Sequence, residues 1–232
     1  MGSDTSGKNR GLGDTICGRF ARINTAREIE IEFNLDQVEI KLAPSYNIAP
    51  THEVAVIIKN GASKLTAMRW GLIPFWAKDE SIGSKLINAR AETVDEKPSY
   101  KHSFQKRRCL IVANGFYEWQ HRGKSKQPFF IHLKDNKPFC FAGIYDNWNS
   151  PDGEKITSCS IITIDASQQI KSIHPRMPMI LKREDFSIWL KNSSLHEVKK
   201  LLVPYSADLE YYEVSMDVNS PSNNYSELIK PI

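Results

Sequence analysis

The chain has 232 residues, 41% hydrophobic and 25% charged, which is enough apolar material for one sizeable core in an ordinary globular balance. No run approaches the roughly 18–20 apolar residues of a membrane-crossing helix. Lysine and arginine total 31 against 27 acids, a formal charge of +4 that tolerates a polyanionic partner but is far from a histone-like excess.

Residues 1–15, "MGSDTSGKNRGLGDT", lack an apolar core and are not a signal peptide; they read as a disordered leader or an artificial extension ahead of one domain at 16–232. "TAREIEIEFNL" predicts a short helix behind a Thr25 cap, with Glu28 three positions on. "APSYNIAPT", with prolines at 44 and 50, must be extended. "VAVIIK" and "KLTAMRWGLI" form a hairpin across Asn60-Gly61. Further strands are predicted at "RCLIVANGFYEW", "PFFIHL", "PFCFAGIYDNW" and "ITSCSIITI", separated by turn-rich segments, so an antiparallel meander is expected. "REDFSIWLKN" and "SLHEVKKLLV" are helical, the second with Leu195, Val198, Leu201 and Leu202 on one face. The fold class is therefore α+β: mainly antiparallel β in a curved, barrel-like sheet, with helices outside.

The cysteines, Cys17, Cys109, Cys140 and Cys159, are widely spaced with no C-x-x-C pair, so a reducing, cytoplasmic setting is expected. Three lie in apolar runs as small hydrophobes. Cys17 instead precedes the first strand-like segment, followed by Gly18 and by Arg19, whose planar fork suits a phosphate or carboxylate. "NARAET" spaces Asn88, Arg90 and Glu92 to leave one face of an extended segment, where a solvated polar face and an anion grip compete. "NGFYEW" sets Glu118 between Tyr117 and Trp119, surroundings that could raise its pKa into general-acid range or leave it merely exposed. "IHPRMP" presents His174 and Arg176 on a proline-stiffened loop. "RWGLIPFWAKD" carries Trp70, Phe75 and Trp76, which either pack in the core or stack on unpaired bases. There is no phosphate-binding glycine loop and no paired metal-ligand spacing, so neither metal nor organic cofactor is expected.

Taken in order, "CGRF", "YNIAPT", "RWGLIPFWA", "NARAET", "GFYEW" and "HPRMP" resemble the SRAP family, the SOS-response-associated peptidase domain, over about residues 16 to 227. The resemblance implies a bifurcated, pseudo-barrel antiparallel sheet with flanking helices. It also implies a DNA-damage role: sensing abasic sites in single-stranded DNA and shielding them through a thiazolidine crosslink made by an N-terminal cysteine. It assigns Cys17 to the crosslink, Asn88 to orienting the intermediate, Glu118 as the acid, and His174 to Schiff-base chemistry and reversal. Arg19, Arg90 and Arg176 would grip phosphates, and Pro50, Trp76 and Trp119 would line the DNA channel. The implied protein is a monomer of the cytoplasm, on the nucleoid when bound to DNA, with peptidase and lyase-like activity attached. The family pattern begins "MCGRF", whereas here Ile16 replaces the methionine behind fifteen further residues, so Cys17 as written has no free amine. An upstream extension, self-cleavage before Cys17, or loss of thiazolidine chemistry would each account for this. Two other functions stay open: a thiol peptidase with Cys17 as nucleophile, His174 as base and Asn88 as orienter, and a non-covalent single-strand binder.

Overall fold

The structure is a computed structural model that describes residues 17–191, 193–205 and 208–232; the expected leader lies outside them. The chain enters through β1 (Arg19–Arg22) and turns into α1 (Ala26–Phe33). Its start is the expected capping box: the Thr25 hydroxyl accepts from the Glu28 N–H while the Glu28 carboxylate accepts from the Thr25 N–H at 2.7 Å. Asn34 ends it at φ 50°, a left-handed conformation that a short polar side chain tolerates. Next come β2 (Gln37–Val38), β3 (Ser45–Ile48) and the predicted hairpin, β4 (Glu53–Asn60) and β5 (Ala62–Trp70), with Gly61 at its tip at φ 81°. The chain continues through β6 (Asn88–Arg90), α2 (Pro98–Lys106), β7 (Arg108–Ala113), β8 (Gly115–Arg122), β9 (Ser125–Leu133), β10 (Phe139–Asn149) and β11 (Lys155–Asp165). It closes with β12 (Arg176–Pro178), β13 (Ile180–Leu181), α3 (Phe186–Leu190), α4 (Leu195–Lys200) and β14 (Leu209–Glu213).

The strands form two sheets. The larger has the order β12-β11-β10-β7-β4-β5-β2, with β13 added on β10 and β6 on β11; the smaller is β14-β9-β8-β1-β3. The expected class holds, a mainly antiparallel bifurcated sheet with helices at its margins, but the meander does not extend throughout: β11 pairs in parallel with β5 and β6, and β2 with β5.

The run "RCLIVANGFYEW", predicted as one strand, is divided between the sheets. β7 is buried along its whole length in the large sheet, whereas β8 belongs to the small one. Asn114 makes the break: its backbone N–H donates to Ala21 O at 2.8 Å, and its side chain accepts from the Ile23 N–H and donates to Asn24. Gly115 follows because a Cβ there would lie 2.2 Å from the Phe130 ring. The helix predicted at "REDFSIWLKN" is a 3-10 turn at Arg183–Asp185 continuing into the five residues of α3. α2 was not anticipated, because its polar sequence hides the inward stripe of Tyr100, Ser103 and Phe104; Pro98 in the first turn was the available signal.

Both faces of the small sheet are covered. Phe20, Phe116, Phe129 and Ile131 point into the main core, while Ala21, Tyr117 and Phe130 meet Val214, Val218 and Leu228 of the C-terminal segment. Edge-to-face contacts of Phe20 with Trp70 (centroids 5.2 Å) and Phe141 (5.6 Å), and of Phe116 with Phe141 (6.1 Å), fasten one sheet to the other.

Candidate functional site

The small sheet supplies the first half of the site. β1 and β8 pair with Arg19 opposite Tyr117, so the residues just ahead of β1 run alongside Glu118 and Trp119. Cys17 sits there 2% exposed, at φ 48°. Its backbone N–H donates to Glu118 Oε1 at 2.8 Å, and its thiol also hydrogen-bonds the Glu118 carboxyl. Nitrogen and sulfur of one residue therefore converge on one carboxyl group. Burial raises the Glu118 pKa, with His174 and the Cys17 donors pulling it part of the way back. Burial pushes the Cys17 thiol well above its ordinary value, the Glu118 charge and hydrogen bond push it further, and Arg176 opposes them.

The large sheet supplies the second half. Along β11, Asn88 is opposite Ile161 and Arg90 opposite Thr163 on one side, while Pro178 pairs Thr163 and Arg176 pairs Asp165 on the other. Arg176 donates to Glu92 at 2.6 and 3.1 Å, to Asp165 at 2.8 Å and to Thr163 O at 2.8 Å. Burial lowers its pKa, but the two carboxylates outweigh that and leave it raised, while the Arg176 hydrogen bond holds Glu92 below the usual carboxylate range. His174 Nδ1 accepts from the Arg176 backbone N–H at 3.1 Å, which fixes the ring. Gln120 of β8 donates to Ser172 O at 3.1 Å and ties the histidine loop to the small sheet.

Cys17, Glu118, His174 and Arg176 are thus brought together where the sheets meet, and Asn88 and Arg90 reach the same end of β11. Arg90 is exposed. Arg19 is not: it is 4% exposed and donates inward to Asn47 Oδ1 (2.8 Å), Val218 O (2.6 Å) and Asn219 O (3.1 Å), clamping the C-terminal segment rather than presenting a fork outward. Trp119 is half-buried and donates to Asn219 Oδ1 at 2.8 Å. Pro50 lies in the turn after β3, closed by the His52 N–H on Ala49 O at 3.2 Å, with Thr51 at φ 75° where glycine or asparagine is usual. Trp76 is 47% exposed beside Phe75 at 55%, so both project, whereas Trp70 is fully buried as core. Glu92 does not continue the extended face of Asn88 and Arg90, because the chain turns into a 3-10 helix at Ala91–Thr93; its carboxylate goes to Arg176 instead. Asp165, Asn47 and Asn219 were missed. Only Asn47 carried a signal, as a polar residue inside the quoted "YNIAPT". Among the described residues, no group of three or more His, Cys, Asp or Glu side chains is arranged to hold a metal.

Comparison with known proteins bears on this arrangement. The model of a family described as SOS response associated peptidase (SRAP) matches residues 16–221. The "Abasic site processing protein YoqW" of Bacillus subtilis is 46% identical over 222 residues, covering 93% of this chain and 99% of that protein. The "Abasic site processing protein HMCES" of Gallus gallus is 34% identical over 229 residues, covering 84% and 68%. A crystal structure of a Bacteroides thetaiotaomicron protein superposes with a TM-score of 0.85 at 29% identity, covering 93% of this chain and all of that one. The family model takes in Cys17, Asn88, Glu118 and His174 together with both sheets that carry them, and on that match the chain belongs to the SOS response associated peptidase family.

Proposed function

We propose that this protein senses abasic sites in single-stranded DNA and, once the peptide bond before Cys17 is cut, captures them as a thiazolidine. The observation that carries this reading is the placement of the Cys17 nitrogen 2.8 Å from a buried Glu118 that also hydrogen-bonds the thiol. Freed as an α-amine, that nitrogen is partly unprotonated near neutral pH. Glu118, with its raised pKa, delivers a proton to the sugar ring oxygen as the deoxyribose opens to its aldehyde. The amine adds to the aldehyde carbon and water leaves, giving an imine. The sulfur then bonds the imine carbon while its proton passes to the nitrogen, closing a five-membered ring with no oxidant needed. Burial keeps the thiol protonated until that step, so the carboxylate beside it acts as its base. His174, fixed by the Arg176 backbone, protonates the imine or directs water to it in reversal, and Asn88 orients the intermediate. Arg90 grips phosphate from its exposed position, while Arg176, held by two carboxylates, positions the histidine loop. Pro50, Trp76 and Trp119 border the strand. The names of the relatives, abasic site processing proteins, support the substrate class.

The test is a chain beginning at Cys17, incubated as a monomer with a single-stranded oligonucleotide carrying one abasic site. A band that survives denaturation and has the summed mass less water is expected, and it should be absent with Cys17→Ala and with the chain beginning at Met1. Unmodified DNA with the Cys17-initiated chain would overturn the reading. Self-cleavage is the second reading, favoured because the atom Glu118 contacts is the nitrogen of the bond that must break. A full-length chain that shortens on storage to start at Cys17, and fails to do so as Glu118→Gln, would establish it.

A further inference from the structure

β7 leads from the handover at Asn114 to a second cleft. Its far end, Arg108, lies about 17 Å along the strand from Ala113 and opens on a cavity of about 200 Å³ lined by Lys59, Asn60, Lys106, Tyr145 and Lys191 as well. Among the described residues, four cations face this cavity and no carboxylate lines it. Arg108 is 7% exposed, and its guanidinium is hydrogen-bonded only to backbone carbonyls: Trp189 O and Phe104 O at 2.7 Å, Gln105 O at 3.0 Å and Lys191 O at 2.5 Å. Those carbonyls belong to the last turns of α2 and α3, so Arg108 is fixed in place as a cap shared by two helix ends, and one of its five N–H groups is left over for a ligand. Lys59, Lys106 and Lys191 are exposed and form no ion pair among the described residues, although Lys59 helps to lower the pKa of Asp36 nearby. A concentration of positive charge of this kind in a concave site suits an anion of more than one charge.

Lys59 and Leu190 also line a neighbouring cavity of about 350 Å³, so the two cavities share a wall. The second cavity is walled by Phe33, Leu35, Ile57, Leu110 and Phe186, with the paired Glu32 and Arg183 also lining it. Phe33 and Phe186 stand 6.0 Å apart between centroids, tilted by 33°, and the Arg183 guanidinium lies 5.0 Å over Phe33 while it pairs with Glu32. Flat aromatic and guanidinium surfaces favour a planar ring over a flexible chain. The combined size is within the range of small-ligand pockets, about 300–1,000 Å³.

We propose that this cleft binds a free nucleotide, with its phosphates among Lys59, Lys106, Arg108 and Lys191 and its base against Phe33 and Phe186. The inference is independent of the abasic-site reading, because none of these residues belongs to the Cys17–Glu118 centre. Calorimetric titration of the full chain with ATP, adenosine and inorganic pyrophosphate tests it, alongside the Lys106→Ala/Lys191→Ala double variant. Both lysines are exposed, so the variant should keep the wild-type melting midpoint, and its Cys17-initiated form should crosslink as the Cys17-initiated wild type does. Saturable ATP binding is expected, weakened about tenfold or more in the double variant, with pyrophosphate weaker than ATP and adenosine not saturating. Absence of ATP binding at millimolar concentration, an unchanged affinity in the double variant, or pyrophosphate binding as tightly as ATP would overturn the proposal. So would a short undamaged single-stranded oligonucleotide that loses affinity in the variant while ATP does not, since the patch would then be a polynucleotide surface.

Discussion

Arg19→Met separates a phosphate-gripping arginine from a structural one. The methionine keeps an apolar stem but removes three hydrogen bonds of 2.8, 2.6 and 3.1 Å from a guanidinium that is 4% exposed. Val218 O keeps a donor, the Asn47 amide at 3.2 Å, so the acceptors left short are Asn47 Oδ1 and Asn219 O. An orphaned buried acceptor costs about 1–3 kcal/mol. Only Asn47 Oδ1 is buried, since Asn219 is exposed, so the loss, less the desolvation that burial imposes on Arg19 and that lowers its pKa, is about 1–2 kcal/mol. Urea unfolding followed by tryptophan fluorescence reads this directly, since Trp119 is bonded to the same Asn219 that Arg19 anchors. In the same variant, affinity for single-stranded DNA under conditions where the protein is folded should keep its salt dependence, whereas loss of one phosphate contact would lower the log–log slope by about 0.7. Wild-type stability together with a shallower slope would refute the clamp.

Glu118→Gln should remove crosslinking by the Cys17-initiated chain by about 10²–10⁴-fold, the usual worth of a positioned acid–base group, measured as initial rate on denaturing gels. The same variant has a pH signature. A carboxyl whose pKa is raised in the fold binds its proton more tightly folded than unfolded, so the wild type loses stability as pH rises from the ordinary glutamate range, about 4.3, through the folded value. The glutamine variant lacks that loss; its melting temperature relative to wild type should climb across this window and stay level below it, and parallel curves would show that Glu118 is not perturbed. Gly115→Ala forces a Cβ to 2.2 Å from the Phe130 ring and 2.8 Å from Ile131 O, so a loss of about 3 kcal/mol or more is expected in urea unfolding. A variant of unchanged stability would mean that β8 can shift freely at this point.

Periodicity and turn chemistry were enough to place the capped α1, the β4–β5 hairpin and the long strands, because those signals are local. The sheet boundary inside "RCLIVANGFYEW" was not legible: an unbroken apolar run is compatible with one strand, and the break depends on Asn114 finding Ala21, Ile23 and Asn24, partners about ninety positions away in sequence. The centre was legible through ordered motifs rather than through any single residue, which is why Cys17, Glu118, His174 and Arg176 could be named before their proximity was seen. Arg19 is a different case. Its motif placed it beside Cys17, but side-chain direction alternates along a strand, and its guanidinium points to the carbonyls of Val218 and Asn219, some two hundred residues on. The second cleft was invisible because its four cations come from β4, α2, β7 and the end of α3 and share no spacing.

The division of one hydrophobic run between two sheets has a bearing on how this molecule can fail. Cys17 and Glu118 ride on one slab and His174 and Arg176 on the other, with the handover at Asn114 and the aromatic contacts around Phe20 as the main fastenings. A disturbance that lets the slabs slide by a fraction of a residue would leave every ladder hydrogen bond intact and still draw Cys17 and Glu118 away from His174 and Arg176. Damage to the joint is in this sense invisible to secondary structure, and the electrostatic coupling of Glu118 to His174 is its most sensitive gauge.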